Sequence, residues 1–143
     1  MNAIKERQKK ICHLLKQDGF DKVILGDPMS IYYLTGITIT PYERFYGLVI
    51  DPLKESTEMI IPTVSKGCME NVVPEITYLD EDGPSAVISE AIANCKKFGT
   101  EKKYFSMHIG EIMNQSGCEI CDVENYISQL RMYKDEEEIV HLQ

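Results

Sequence analysis

No apolar run in this sequence approaches the ~18 residues needed to span a bilayer. The longest, such as Val23-Ile24-Leu25 and Leu48-Val49-Ile50, have the length of strands. Met1 to Glu6 also lacks the continuous apolar stretch of a secretory signal. Basic residues are in deficit, 15 Lys and Arg against 23 Asp and Glu, for a formal charge of −8. That balance opposes binding to a phosphate backbone, which depends on basic side chains displacing counterions, so nucleic acid is not an expected partner; the missing bilayer-length run makes a membrane equally unexpected. Neither GxGxxG nor GxxxxGK[ST] occurs, which removes the common glycine-rich phosphate loops. His13, His108 and His141 are dispersed and form no HExxH pair. The five cysteines make an odd count without a signal peptide, the pattern of reduced thiols in a cytoplasmic protein.

What is present suits one globular domain. The chain has 143 residues, 43% hydrophobic and 27% charged, a size that buries roughly 70% of the unfolded surface without staples. Ile4, Ile11, Leu14 and Leu15 fall at helical spacing, and Gly19 supplies a stop. Residues 3–18 are basic and amphipathic, but Glu6 and Asp18 interrupt the charge, so a packed helix is expected rather than a membrane-surface one. Phe20–Leu25 predicts a strand, Met29–Leu34 one or two helical turns, and 37–44 a loop around Pro41. Arg44–Ile50 and Glu58–Ile61 flank turn-forming residues and predict an antiparallel hairpin. A short helix over 63–71 and a strand over Glu75–Leu79 come next. Val87, Ile88, Ala91, Ile92 and Cys95 make one helical face, with Pro84 in the first turn and Gly99 as terminator. Lys103–Phe105 predicts a strand, 109–115 a helix, Glu119–Val123 a strand, and Asp122 a cap for a helix through Leu130. Early antiparallel strands and later β–α alternation predict an α/β fold, a mixed sheet flanked by helices.

The last segment starts a helix that it does not finish. Asp135 and Glu138 have capping-box spacing, and three consecutive glutamates suit the positive end of a helix dipole, yet no stop signal precedes Gln143. A frayed terminal helix and a boundary inside a longer protein both account for this.

Few constellations carry chemistry. Cys118-Glu119-Ile120-Cys121 has half the spacing of a zinc knuckle, but no second pair accompanies it, and on a strand residues three apart point to opposite faces. Asp80-Glu81-Asp82 invites a two-metal carboxylate reading, but consecutive side chains diverge and a solvated loop before Gly83-Pro84 accounts for them more easily. Tyr32, Tyr33 and Tyr42 either line a pocket or pack on the first strand. Arg44 either pairs with a substrate carboxylate or with a surface acid.

The order of segments resembles a known family. Ile31-Tyr32-Tyr33-Leu34-Thr35-Gly36 is similar to the Tyr-Leu-Thr-Gly turn of the creatinase/prolidase N-terminal domain. Glu43-Arg44-Phe45 leading into Tyr46–Ile50 resembles the segment after that turn in Xaa-Pro peptidases. Leu130-Arg131-Met132-Tyr133-Lys134 through Glu138-Ile139 resembles the junction that opens the catalytic domain. Ser30 departs from the pattern, since many relatives carry Asn there. The resemblance implies a creatinase/prolidase N-terminal domain with a ribonuclease H-like motif over 1–131, and over 132–143 a junction and the first helix of a C-terminal catalytic domain. It implies a parent that hydrolyses X–Pro bonds in proline-containing peptides with two divalent metals (manganese, cobalt or zinc) held by two Asp, one His and two Glu of that other domain. No catalytic residue or metal ligand is then expected in this chain, which alone should be inactive. The family further implies a homodimer in the full-length protein. Access to the active site would involve the stretch from Tyr33 to Arg44, with Tyr33, Thr35, Tyr42 and Arg44 as candidates. The alternative is a creatinase-like module that binds peptides or proteins without hydrolysing them.

Overall fold

A computed structural model of the chain describes residues 2–41, 43–69 and 72–132. Tyr42, His141 and the capping sequence around Asp135 therefore lie outside the described residues. Six strands form one mixed sheet: β1 (Lys22–Leu25), β2 (Gly47–Asp51), β3 (Ser56–Pro62), β4 (Glu75–Tyr78), β5 (Lys97–Thr100) and β6 (Glu119–Asp122). Their order is β4-β3-β2-β1-β5-β6. β1, β2 and β3 pair antiparallel, whereas β4 on β3, β5 on β1 and β6 on β5 are parallel. The expected hairpin is therefore β2–β3, with Leu48 opposite Met59.

Helices cover both faces, which is why the central strands read as unbroken apolar runs instead of alternating with polar residues. Val23, Leu25, Leu48, Ile50, Met59 and Ile61 point to one face. They pack there against Ile11 and Leu15 of α1 (Asn2–Gln17), Ile31 and Leu34 of α2 (Pro28–Thr35) and Ile127 of α5 (Glu124–Met132). Ile24, Val49, Ile60 and Phe98 point to the other face. There they meet Ile88 of α3 (Ser85–Ala91) and Ile109, Ile112 and Met113 of α4 (Met107–Asn114). Among the described residues, no helix is long and apolar enough to cross a membrane.

Local signals explain most boundaries. Gly19 adopts φ +81 and closes α1 as a left-handed stop, the role its position suggested. Asp27 caps α2 by accepting from the Met29 N–H at 3.0 Å, Pro28 takes the first turn, and Gly36 ends the helix at φ 76. Asp122 accepts from the Glu124 N–H at 3.3 Å, at the start of α5.

Several expectations need correction. The helix beginning near Pro84 ends at Ala91, because Asn94 turns the chain with φ 66, and Cys95 lies beyond it. Gly99 terminates nothing. It sits inside β5, where a Cβ would come within 2.5 Å of Val123 Cγ1 and 3.0 Å of Val23 Cγ2. Glycine is thus needed for close approach at the centre of the sheet. Lys103–Phe105 is not a strand but part of the turn after β5, with the Tyr104 N–H donating to Glu101 O at 3.0 Å. Over 63–69 there is only a 3-10 turn (Thr63–Ser65) succeeded by further turns. β2 starts at Gly47, three residues after Arg44, which leaves residues 43–46 as a loop over the sheet end.

Candidate functional site

β1 and β5 are adjacent and parallel, yet the chain leaves them toward opposite faces, to α2 after β1 and to α4 after β5. Such a switch point opens a crevice at the carboxyl ends of the strands, the usual ligand position in α/β sheets. Here the protein fills the crevice itself. Glu101 comes directly after β5 and is buried, 5% exposed. Its Oε1 accepts from the N–H groups of Gly26 and Asp27 at 2.8 and 3.0 Å, and its Oε2 accepts from the Ser30 hydroxyl at 2.6 Å. Burial pushes the Glu101 carboxyl up, against the pull of the Ser30, Asp27 and Gly26 donors. Ser30, the departure from the family pattern, therefore ties α2 to the end of β5.

Beside the plugged crevice, on the face covered by α3 and α4, lies an open cleft of about 480 Å³. Three segments wall it: the loop 43–46 before β2, the end of β4 with the loop to Pro84, and the turn from Tyr104 into α4. Tyr78 fixes the first of these. Its buried hydroxyl donates to Phe45 O at 2.8 Å and accepts from the Phe45 N–H at 2.9 Å. Two residues on, Asp80 takes the Arg44 guanidinium in a fork, with Nε to Oδ1 at 3.0 Å and Nη2 to Oδ2 at 3.0 Å. The hydrogen bond from Arg44 holds the Asp80 carboxyl below its ordinary value, and reciprocally raises the guanidinium. Phe45 packs on Phe105 at 5.5 Å between centroids, and Tyr104 stands edge-on to Phe105. Burial raises the Tyr78 and Tyr104 hydroxyls, so both remain protonated donors near neutrality.

The access candidates do not converge. Arg44 stands at the cleft. Thr35 is buried on the opposite face, its hydroxyl donating to Ile31 O at 2.7 Å and accepting from the Ile37 N–H at 3.1 Å. Tyr33 is half-buried there, with its hydroxyl donating to Leu130 O at 3.2 Å and the Arg7 guanidinium 4.5 Å from its ring centroid. Tyr42 lies outside the described residues.

Other constellations resolve structurally. Cys118 packs toward the α3–α4 face and Cys121 toward the α1–α5 face, as strand geometry requires. Asp80 is engaged by Arg44. Among the described residues no three or more His, Cys, Asp or Glu side chains gather as a metal cluster, so these residues do not fit a divalent ion and no metal step is assigned to them. Sequence reasoning missed Glu101 and Tyr78. A misplaced strand hid the first, and the second carries its message only through contact with a residue 33 positions away.

The sequence profile described as the creatinase/prolidase N-terminal domain matches residues 7–133. An Xaa-Pro dipeptidase of Lactobacillus helveticus is 28% identical over 147 residues, covering 94% of this chain and 39% of the relative. An uncharacterized peptidase of Staphylococcus epidermidis is 27% identical over 148 residues, covering 99% of this chain and 40% of the relative. The chain thus spans about two fifths of the length of the curated relatives it matches. Among solved structures, the creatinase/prolidase N-terminal domain of an X-Pro dipeptidase from Streptococcus pyogenes superposes with TM-score 0.78 at 20% identity, over 87% of this chain and 98% of that one. The prolidase from Pyrococcus horikoshii OT3 gives TM-score 0.75 at 21% identity, over 94% of this chain and 37% of that one. With the fold matched along nearly its whole length and the profile covering residues 7–133, the chain belongs to the creatinase/prolidase N-terminal domain family.

Proposed function

We propose that this chain is the non-catalytic N-terminal domain of an Xaa-Pro dipeptidase or aminopeptidase. It serves dimer contacts and shapes access to a dinuclear metal site (manganese, cobalt or zinc) in a separate catalytic domain, within a cytoplasmic protein. One observation carries the reading: a family match over residues 7–133 in a chain that covers about two fifths of its peptidase relatives.

In this reading the segment from Tyr33 to Arg44 controls access, and its members divide the work. Thr35 and Tyr33 hold α2 against its neighbours, while Arg44, on the cleft side, is the group that meets peptide. Tyr42 belongs to the same segment. Arg44 suits the task because a guanidinium offers fixed, planar donors to a carboxylate.

The test is an X–Pro dipeptide assay of the purified chain with added manganese. No turnover is expected, because the described residues gather no metal cluster. Turnover by the chain alone would overturn the proposal. For the dimer, light scattering on the full-length protein should return twice the subunit mass, and a monomer would remove that part of the reading.

A further inference from the structure

We infer that the aromatic cleft is a binding site for an organic monocation, a primary ammonium group carried on an apolar stem. This goes beyond the peptidase reading and stands or falls independently of it. Of the eight tyrosines and four phenylalanines in the chain, four bring their rings to this face of the sheet at the cleft: Phe45, Tyr78, Tyr104 and Phe105. Tyr104 remains 40% exposed, so ring surface is available to an incoming group. Ring faces attract a cation electrostatically, more strongly where water is partly excluded. The cleft's ~480 Å³ suits a small molecule.

The charges decide the sign of the ligand. Arg44 and Asp80 neutralise each other through their forked pair. Glu43, on the same cleft, has an exposed side chain with no hydrogen bond or ion pair among the described residues. One uncompensated carboxylate therefore faces an aromatic wall, in a chain whose net charge is −8. Glu43 and Asp80 against Arg44 leave the acidic and basic side chains of the cleft net negative, which favours a cation over an anion. A primary ammonium can donate to Glu43 while its stem covers the rings.

Titration of the ¹⁵N-labelled chain with phenethylammonium tests this, with phenylacetate as the anionic match and phenethyl alcohol as the neutral one. Saturable shifts confined to residues 43–46, 78–84 and 104–109 are expected for the ammonium. Binding should weaken about tenfold or more for either control. Glu43→Gln, at an exposed position that leaves the fold intact, should weaken the ammonium several-fold and leave the alcohol unchanged. Tyr104→Ala should weaken both. Absence of saturable shifts, equal affinity for phenylacetate, or an unaltered ammonium affinity in Glu43→Gln would each overturn the assignment.

Discussion

The hydroxyl of Tyr78 holds both backbone polar groups of Phe45, donating to its carbonyl oxygen at 2.8 Å and accepting from its N–H at 2.9 Å. One side chain thus does for the loop 43–46 what a ladder of strand hydrogen bonds does for β2. Tyr78→Phe keeps the ring and leaves a buried N–H and C=O without a partner. A loss of about 1–3 kcal/mol is expected, read as a lower urea midpoint with unchanged slope.

Glu101 gives a second outcome, with a sign that can be checked. Its carboxyl is raised by burial above the ordinary value of 4.5. Stability from this group is therefore fully present below 4.5 and falls as pH rises through the folded value, because the unfolded chain releases the proton first. Glu101→Gln keeps an acceptor for the Gly26 and Asp27 N–H groups and should flatten that portion of the stability–pH profile at a cost within about 1 kcal/mol. Glu101→Ala strands three donors and should cost about 3 kcal/mol or more. Thermal melts from pH 4 to 8 separate the two variants.

Asp80 should behave oppositely. The Arg44 hydrogen bond lowers its carboxyl below 3.8, so the pair's contribution is present above 3.8 and disappears as pH falls through the folded value. Both side chains are about half exposed, which makes the effect on global stability small. Carboxyl carbon NMR is the sensitive readout. Arg44→Gln should return the Asp80 titration toward 3.8, and an unmoved titration would contradict the fork.

Two glycines should answer the same substitution with opposite signs. Gly99→Ala places a methyl 2.5 Å from Val123 Cγ1, and overpacking of this kind costs about 1–3 kcal/mol. Gly110 lies inside α4 with nothing within 4 Å of a Cβ. Gly110→Ala should therefore stabilise the domain by about 0.5–1 kcal/mol, through helix propensity and a less disordered unfolded chain. Denaturant midpoints of the two variants, compared with the parent chain, check both signs.

How far the sequence reached depends on where each message is stored. Helix ends with dedicated residues were legible at Gly19 and Asp122, because each acts on the backbone within a few positions, whereas the Asp27 cap and Pro28 of α2 went unread. The β2–β3 hairpin was legible for the same reason. β5 was misplaced because Phe98-Gly99-Thr100 is short and contains a glycine, which reads as punctuation unless the neighbouring Val123 and Val23 are known. Arg44 was legible as a candidate, but its partner Asp80 is 36 residues away and no local pattern joins them.

By itself, then, the sequence determined the α/β class, the family and the local caps, since apolar periodicity, ordered motifs and capping chemistry are short-range properties. Only the tertiary structure decided that Glu101 closes the crevice between β1 and β5, that Tyr33 and Thr35 sit on the face opposite Arg44, and that four aromatic side chains gather at one cleft. Those facts rest on strand order. Placing β5 beside β1, across 75 residues of chain, brings Glu101 to the Gly26 N–H, and no interaction within either segment encodes that meeting.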